Sequence, residues 1–151
     1  MISNLRQLPM HPSGDPASRD EQLVNEKIFG ECNHRSWTTF VDKLDRHMLV
    51  CGECGGEFEY GDGYHSSPLS ESDFLLTAVR KYAHESVLAN LVASKVEAAG
   101  WSTRVIESCG AYVCAFERDN LRFQSNRCTT REQAVCEAAA RLGASGRLVK
   151  R

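Results

Sequence analysis

The sequence of 151 residues lacks a long apolar run, and its charges nearly cancel. No stretch approaches the roughly 20 apolar residues that a membrane-spanning helix needs, so we expect no membrane association. The formal net charge of −2 gives the whole chain no electrostatic attraction to nucleic acid. Residues 1–19 also lack apolar periodicity, which predicts a flexible N-terminal segment. Because the apolar core of a secretory signal is missing there, we expect a cytoplasmic protein.

The number of cysteines, seven, is odd and argues against a disulfide framework. In a reducing compartment such residues stay as thiols. Four of them are expected to be free, either packed as small apolar side chains or lying near turns: Cys109, Cys114, Cys128 and Cys136. The remaining three fall in a metal-binding pattern.

The most informative pattern joins Cys32 and His34 to Cys51 and Cys54. Sixteen residues separate the two pairs, and two short pairs of soft ligands are typical of a tetrahedral zinc site. Because protein side chains fill all four positions, the pattern predicts a structural Zn²⁺ rather than a catalytic one. His47 is the alternative ligand, since it lies close to the second pair.

Apolar periodicity predicts helices over residues 20–29, 70–83, 88–99 and 130–142, the last closed by Gly143. The apolar pattern is interrupted between the second and third helices. The interruption is compatible with one bent helix or with two separate helices. Two short strands, 37–40 and 48–50, are predicted to lead into the second cysteine pair. This arrangement is typical of a zinc ribbon.

Three further segments have the composition of strands: residues 101–107, 111–117 and 120–125. Turn pairs at Cys109-Gly110 and Asp119-Asn120 predict that the strands are antiparallel neighbours. The middle segment is apolar on both faces and so requires cover on both sides. The order of elements therefore predicts an α+β fold: a three-layer α/β/α sandwich around a small antiparallel sheet, with a zinc-ribbon-like insert.

Several segments resemble the phage ABA sandwich domain family of small tailed-phage and prophage proteins: Leu23–Cys32, Pro68–Ser70, Glu97–Trp101 and Thr130–Ala139. They resemble the first helix, the entry to and end of the long helix, and the closing helix of that family. Many relatives carry a Cys/His insert after the first helix. The resemblance implies α/β/α layers over residues 20–143, with the ribbon insert at 31–60 and a basic C-terminal tail at 144–151. The resemblance also implies an accessory role. Accessory proteins of phages include inhibitors of host defence.

No catalytic fingerprint such as Gly-x-Ser-x-Gly or a P-loop occurs, so we expect a protein that is not an enzyme. Within the ribbon, Trp37, Glu57, Glu59 and Asp62 are candidates for partner binding, because an acidic surface repels phosphates and favours a protein partner. The preferred hypothesis is a phage or prophage accessory protein that binds a host protein, as an inhibitor of a defence system. The sequence leaves the oligomeric state open.

The alternative hypothesis is a zinc module that binds nucleic acid or a nucleotide. It rests on a set of basic residues around the predicted strands and the last helix, which would form an arginine-rich face: Arg118, Arg122, Arg127 and Arg131.

Overall fold

The computed structural model describes residues 15–60 and 69–149, which form two compact units. The first unit, termed the metal unit, comprises residues 15–17, 32–60 and 69–79. The second, termed the sheet unit, comprises residues 18–31 and 80–149. The metal unit therefore extends past residue 60, the predicted end of the insert, because a helix after that point shares its core. No helix within the described ranges has the length and apolarity to cross a membrane.

The described helices and strands alternate in blocks along the chain. The helices are α1 (Arg19–Leu23, continued by a π-helical turn over Val24–Ile28), α2 (Glu71–Leu76), α3 (Ser86–Ala98) and α4 (Arg131–Ser145). The strands are β1 (Trp37–Val41), β2 (His47–Cys51), β3 (Glu57–Glu59), β4 (Ser102–Ser108), β5 (Ala111–Arg118) and β6 (Leu121–Gln124). They form two antiparallel sheets with the orders β1-β2-β3 and β4-β5-β6. The α+β class is as predicted.

The metal unit packs α2 against its sheet through a small apolar core. Leu49 of β2 and Phe58 of β3 meet Phe74 and Leu75 of α2, and all four are buried. At the start of α2 the Ser70 hydroxyl accepts a hydrogen bond from the third helical N–H and so caps the helix. A core of this size stabilises little by itself.

The predicted helix over 70–83 is wrong, because α2 ends at Leu76. The Thr77 hydroxyl donates to the carbonyl of Phe74 at the end of the helix, and turns follow. The apolar stripe that suggested a longer helix is divided between two cores. Phe74 belongs to the core of the metal unit, whereas Tyr82 lies in that of the sheet unit and stacks on Phe29 at 5.3 Å.

The sheet unit contains the larger core, with the helices packed on the face of β5 that carries Cys114 and Phe116. The three predicted strands and their turns are confirmed. Cys109 and Gly110 have φ of 53° and 74°, the signature of a tight hairpin turn. Ala115, on the opposite face of β5, is only 2% exposed, but a second helix layer over that face, and hence the three-layer sandwich, is not confirmed.

The last helix passes through the predicted stop at Gly143 and ends two residues later, at Ser145. Gly146 adopts φ of 75° and serves as the left-handed C-cap instead. Gly143 is buried, and a Cβ there would lie 2.8 Å from Cβ of Lys27. The glycine therefore permits close approach of the π-helical turn rather than ending α4.

Candidate metal centre

Four side chains from three parts of the metal unit converge on one point. Cys32 and His34 lie in the loop before β1, Cys51 is the last residue of β2, and Cys54 lies in the turn that leads to β3. Their ligand atoms all lie within 4.8 Å of one another. The hairpin brings the second pair back to the first, since Trp37 is the cross-strand neighbour of Cys51. The predicted set of four is thus assembled by the fold and could hold a metal ion.

The distances within the cluster fit a tetrahedral ion. Sγ of Cys32 lies 3.5 Å from Sγ of Cys51, and Sγ of Cys54 lies 3.5 Å from Nδ1 of His34. An ion with metal–sulfur and metal–nitrogen bonds of about 2.3 and 2.0 Å would place such pairs about 3.8 and 3.5 Å apart. A disulfide would require roughly 2.05 Å between sulfurs. The spacing therefore matches coordination and identifies Nδ1 as the histidine donor.

Backbone amides point at each of the three sulfurs. The N–H groups of His34, Glu53 and Gly56 donate to Sγ of the cysteine two residues before them, at 3.2, 3.4 and 3.4 Å. His34 itself adopts φ of 56°, which is uncommon for a residue other than glycine and turns the chain at the first pair. Such donors stabilise thiolate charge and fix the direction of each sulfur.

The thiols of the cluster do not ionise with equal ease. Burial, together with the sulfurs of Cys51 and Cys54, raises the pKa of Cys32 to about 12. Burial opposes ionisation of Cys51 too, but hydrogen bonds from backbone N–H groups and from Cys32 outweigh it and lower the pKa of Cys51. Burial lowers the pKa of His34, which keeps the imidazole neutral and able to coordinate. A cation is what allows three clustered thiols to ionise together.

The cluster is attached to the core of the metal unit. The His34 ring meets the ring of Phe58 edge-on, with 4.8 Å between centroids. Phe58 is 1% exposed. The cluster is therefore in direct contact with the apolar core beneath it.

His47, the alternative ligand, is not part of the cluster. Its Nε2 lies 3.4 Å from a carboxylate oxygen of Glu71, and its ring packs edge-on against Tyr60 at 5.1 Å. Tyr60 in turn meets Phe74 at 5.1 Å. His47 therefore helps to attach α2 to the sheet.

The predicted partner-binding residues of the ribbon that the structure describes are partly or fully buried, and Trp37 and Glu59 contact other residues of the metal unit. The Trp37 indole is half-buried and donates to Glu71 at 3.2 Å. Glu59 is 6% exposed and lies 3.7 Å from the Arg46 guanidinium, while Glu57 is half-buried. Asp62 lies outside the described residues.

Sequence reasoning missed the exposed apolar residues at the hairpin tip. Phe40, Val41 and Leu44 are 40%, 66% and 74% exposed. We name them the hairpin patch. Leu44 was a detectable signal, since it is an apolar residue within the charged turn between two predicted strands.

The four arginines of the alternative hypothesis are spread over the sheet unit. Arg118 stacks on Trp101 at 4.4 Å and donates to the carbonyls of Ala99 and Leu148, so its role is structural. The strand register places Arg122 on the opposite face of the sheet from Arg118. Arg127 donates to the backbone carbonyl of Ser108. Arg131 donates to the side-chain carbonyl of Asn90.

The remaining thiols lie in the sheet unit. Burial raises the pKa of Cys114 to about 12 and also raises that of Cys136, whereas Cys109 is exposed on its turn. Cys128 borders a pocket of about 380 Å³ together with His84. Burial, followed by Glu137, raises the pKa of Cys128, whose thiol donates toward that carboxylate at 3.7 Å. A protonated thiol is a poor nucleophile, so this raised pKa lowers the reactivity of Cys128.

Comparison of the chain with models of known families, with curated proteins and with solved structures finds no match.

Proposed function

We propose that this protein is a non-enzymatic binding protein in which a structural zinc ion holds a ribbon that recognises another protein. The observation that carries the proposal is the hairpin patch. Phe40, Val41 and Leu44 present apolar area on a unit with an assembled four-ligand cluster. Single exposed apolar residues are ordinary, but three of them within five residues at one hairpin tip favour a surface that another protein covers.

The identity of the metal follows from donor chemistry. Three thiolates and one imidazole in tetrahedral array suit zinc, and the sulfur-rich set disfavours calcium and magnesium, which prefer oxygen. Because the protein supplies all four donors, the ion has no open position for water. Its role is then to supply folding free energy to a unit whose core contains four buried apolar residues.

Charge favours a protein over a nucleic acid as the partner. Over residues 32–60 and 69–79 the chain carries seven carboxylates against three lysine or arginine side chains. Such an excess repels phosphates and attracts basic protein surfaces. The nucleic-acid or nucleotide alternative would rely on the sheet unit, where Arg118 and Arg122 lie on opposite faces of one sheet.

The biological setting of the proposal comes from the resemblance of the sequence to the phage ABA sandwich family. On that basis the protein is a phage or prophage accessory protein with a three-layer sandwich. It acts in the cytoplasm of the host cell, and its partner is a host protein that belongs to a defence system.

Affinity capture from host lysate at near-native expression tests this proposal. The wild-type chain is compared with a double variant, Phe40→Ser combined with Leu44→Ser, and with Val87→Ser as the control. Val87 is 69% exposed but lies in the sheet unit. We expect one specific host protein with the wild type and the control, and none with the double variant. Recovery of no specific protein by the wild type contradicts the proposal.

Mobility shifts with DNA and RNA and thermal shifts with nucleotides separate the two hypotheses. Both are measured at low salt, where phosphate contacts are strongest. If the double variant still gives a shift, the binding of nucleic acid or nucleotide would be assigned to the sheet unit.

A further inference from the structure

The edge strand β1 differs from the other edges of the two sheets. The sheet orders leave β1, β3, β4 and β6 at edges. Three of these edges carry charged side chains, which protect a strand from pairing with another chain: Glu57 and Glu59 in β3, Arg104 and Glu107 in β4, and Arg122 in β6. The five residues of β1 read Trp-Thr-Thr-Phe-Val and include neither a charge nor a proline. Every one of them belongs to the types that favour strands.

The hydrogen-bond pattern shows which backbone groups of β1 point away from β2. Just outside the ladder, the N–H of Asp42 donates to the carbonyl of Arg46, and that of Gly52 donates to Ser36. In an antiparallel pair, bonded and non-bonded residues alternate. Thr38 and Phe40 therefore bond to β2, whereas Trp37, Thr39 and Val41 direct their N–H and C=O groups to the free edge. Within residues 15–60 and 69–149, no backbone group forms a hydrogen bond with those outward N–H and C=O groups.

We propose that the partner binds by adding an extended segment to the free edge of β1, and that this segment is basic. This inference rests on the proposed function and specifies its mode. Outward groups on three alternate residues match the hydrogen-bond spacing of an added strand. The neighbouring hairpin patch supplies apolar contacts for the side chains of that strand.

Charge selects among the extended chains that such an edge could accept. The metal unit as a whole carries an excess of carboxylates, which attracts a basic chain, and one of them, Glu71, accepts a hydrogen bond from Trp37 at the start of β1. The same excess opposes pairing with β1 of a second copy, which would bring two acidic units together. The occupant is therefore a run of β-forming residues flanked by basic ones.

Peptide binding to the zinc-loaded full chain tests the proposal. The probe is the peptide Lys-Lys-Thr-Val-Thr-Val-Thr-Lys-Lys. One comparison peptide has glutamate in place of every lysine, and another has proline in place of the central threonine. We expect saturable binding of the basic probe only, weakened by added salt. Amide hydrogen exchange should slow at Trp37, Thr39 and Val41 on binding, while Thr38 and Phe40 serve as internal controls.

The substitution Thr39→Pro removes an outward N–H without removing a bond to β2, because proline is tolerated where the N–H of an edge strand faces solvent. We expect Thr39→Pro to weaken binding of the basic probe by at least about tenfold, since the substitution removes a hydrogen bond and obstructs the approach of the added strand. Thr39→Ala keeps the N–H and should bind as the wild type does. Zinc content and circular dichroism establish whether both variants fold. The hydrogen-exchange test uses only the wild-type protein, so it stands even if a variant does not fold.

Several results would overturn the proposal: no binding of the basic probe at millimolar concentration, equal binding of the glutamate peptide, or wild-type affinity in Thr39→Pro. Slow exchange of the outward amides in a peptide-free dimer would assign the edge to a second copy. Lysate capture separates the two proposals. A host protein captured equally by Thr39→Pro and wild type refutes strand addition and leaves the binding function intact, whereas no capture by either refutes both.

Discussion

Nδ1 of His34 lies 3.5 Å from Sγ of Cys54, although the two residues are twenty positions apart in the chain. Neither residue belongs to a helix or strand. One turn precedes β1 and the other follows β2, so the two meet at the open end of the hairpin. In each turn an N–H donates to a cysteine sulfur. An ion coordinated by both residues would join the two turns directly.

We expect Cys54→Ser to lose the metal and to unfold the metal unit while the sheet unit stays folded. Structural zinc supplies folding free energy on the order of 10 kcal/mol in small zinc modules. Metal analysis should show loss of stoichiometric zinc, and the emission of Trp37 should shift to that of a solvated indole. Cys109→Ser is the control, since this thiol is exposed on a hairpin turn of the sheet unit. A variant at Cys54 that keeps one zinc per chain would refute the ligand set.

The spacing of Cys32, His34, Cys51 and Cys54 was sufficient to predict their convergence, because few structures other than a metal site require soft ligands in two short pairs. The strands of the sheet unit were equally predictable, since their turn residues and alternation agree. The helix predicted over 70–83 failed because its stripe serves two cores, and periodicity does not record which core a residue joins. Gly143 was misread because a glycine that ends a helix and one that admits a neighbouring segment look alike in sequence.

Thiol labelling at pH 8 should separate six of the seven cysteines into three groups. We expect fast reaction at Cys109, because it is exposed. Cys114 and Cys136 should stay unreacted until the sheet unit unfolds, since both are buried and burial raises the pKa of each thiol. The three ligand thiols should react only after a chelator removes the metal. Mass spectrometry of labelled peptides measures each group, and labelling of Cys114 in the folded protein would contradict the described core.

The stability contributed by Tyr82 should disappear at high pH. Its hydroxyl donates to Oδ1 of Asn25 at 2.7 Å, and burial raises the pKa of Tyr82 to about 12. In the unfolded chain a tyrosine titrates near pH 10, so the folded state holds the proton more tightly. The contribution is therefore complete below about pH 10 and is lost as the pH rises toward 12.

Tyr82→Phe provides the comparison for that prediction. Below pH 10 the variant should unfold with about 1–3 kcal/mol less free energy, because it leaves a buried amide without this donor. The difference between the two proteins should shrink as the pH rises through 10 to 12, when measured by chemical denaturation. A difference that is constant over this range would show that Tyr82 ionises as easily in the folded protein as in the unfolded one.

Gly143→Ala should destabilise the sheet unit even though alanine favours helices. The added Cβ would lie 2.8 Å from Cβ of Lys27, a distance that packed carbon atoms do not reach without displacement. We expect this overpacking to cost about 1–3 kcal/mol, which a gain of about 1 kcal/mol in helix propensity offsets only in part. Ala144→Gly is the matched control at the next, exposed position of α4, where propensity alone should cost about 1 kcal/mol. If Gly143→Ala instead raises the free energy of unfolding, then α4 and the π-helical turn after α1 do not approach as closely as described, and Gly143 has no packing role.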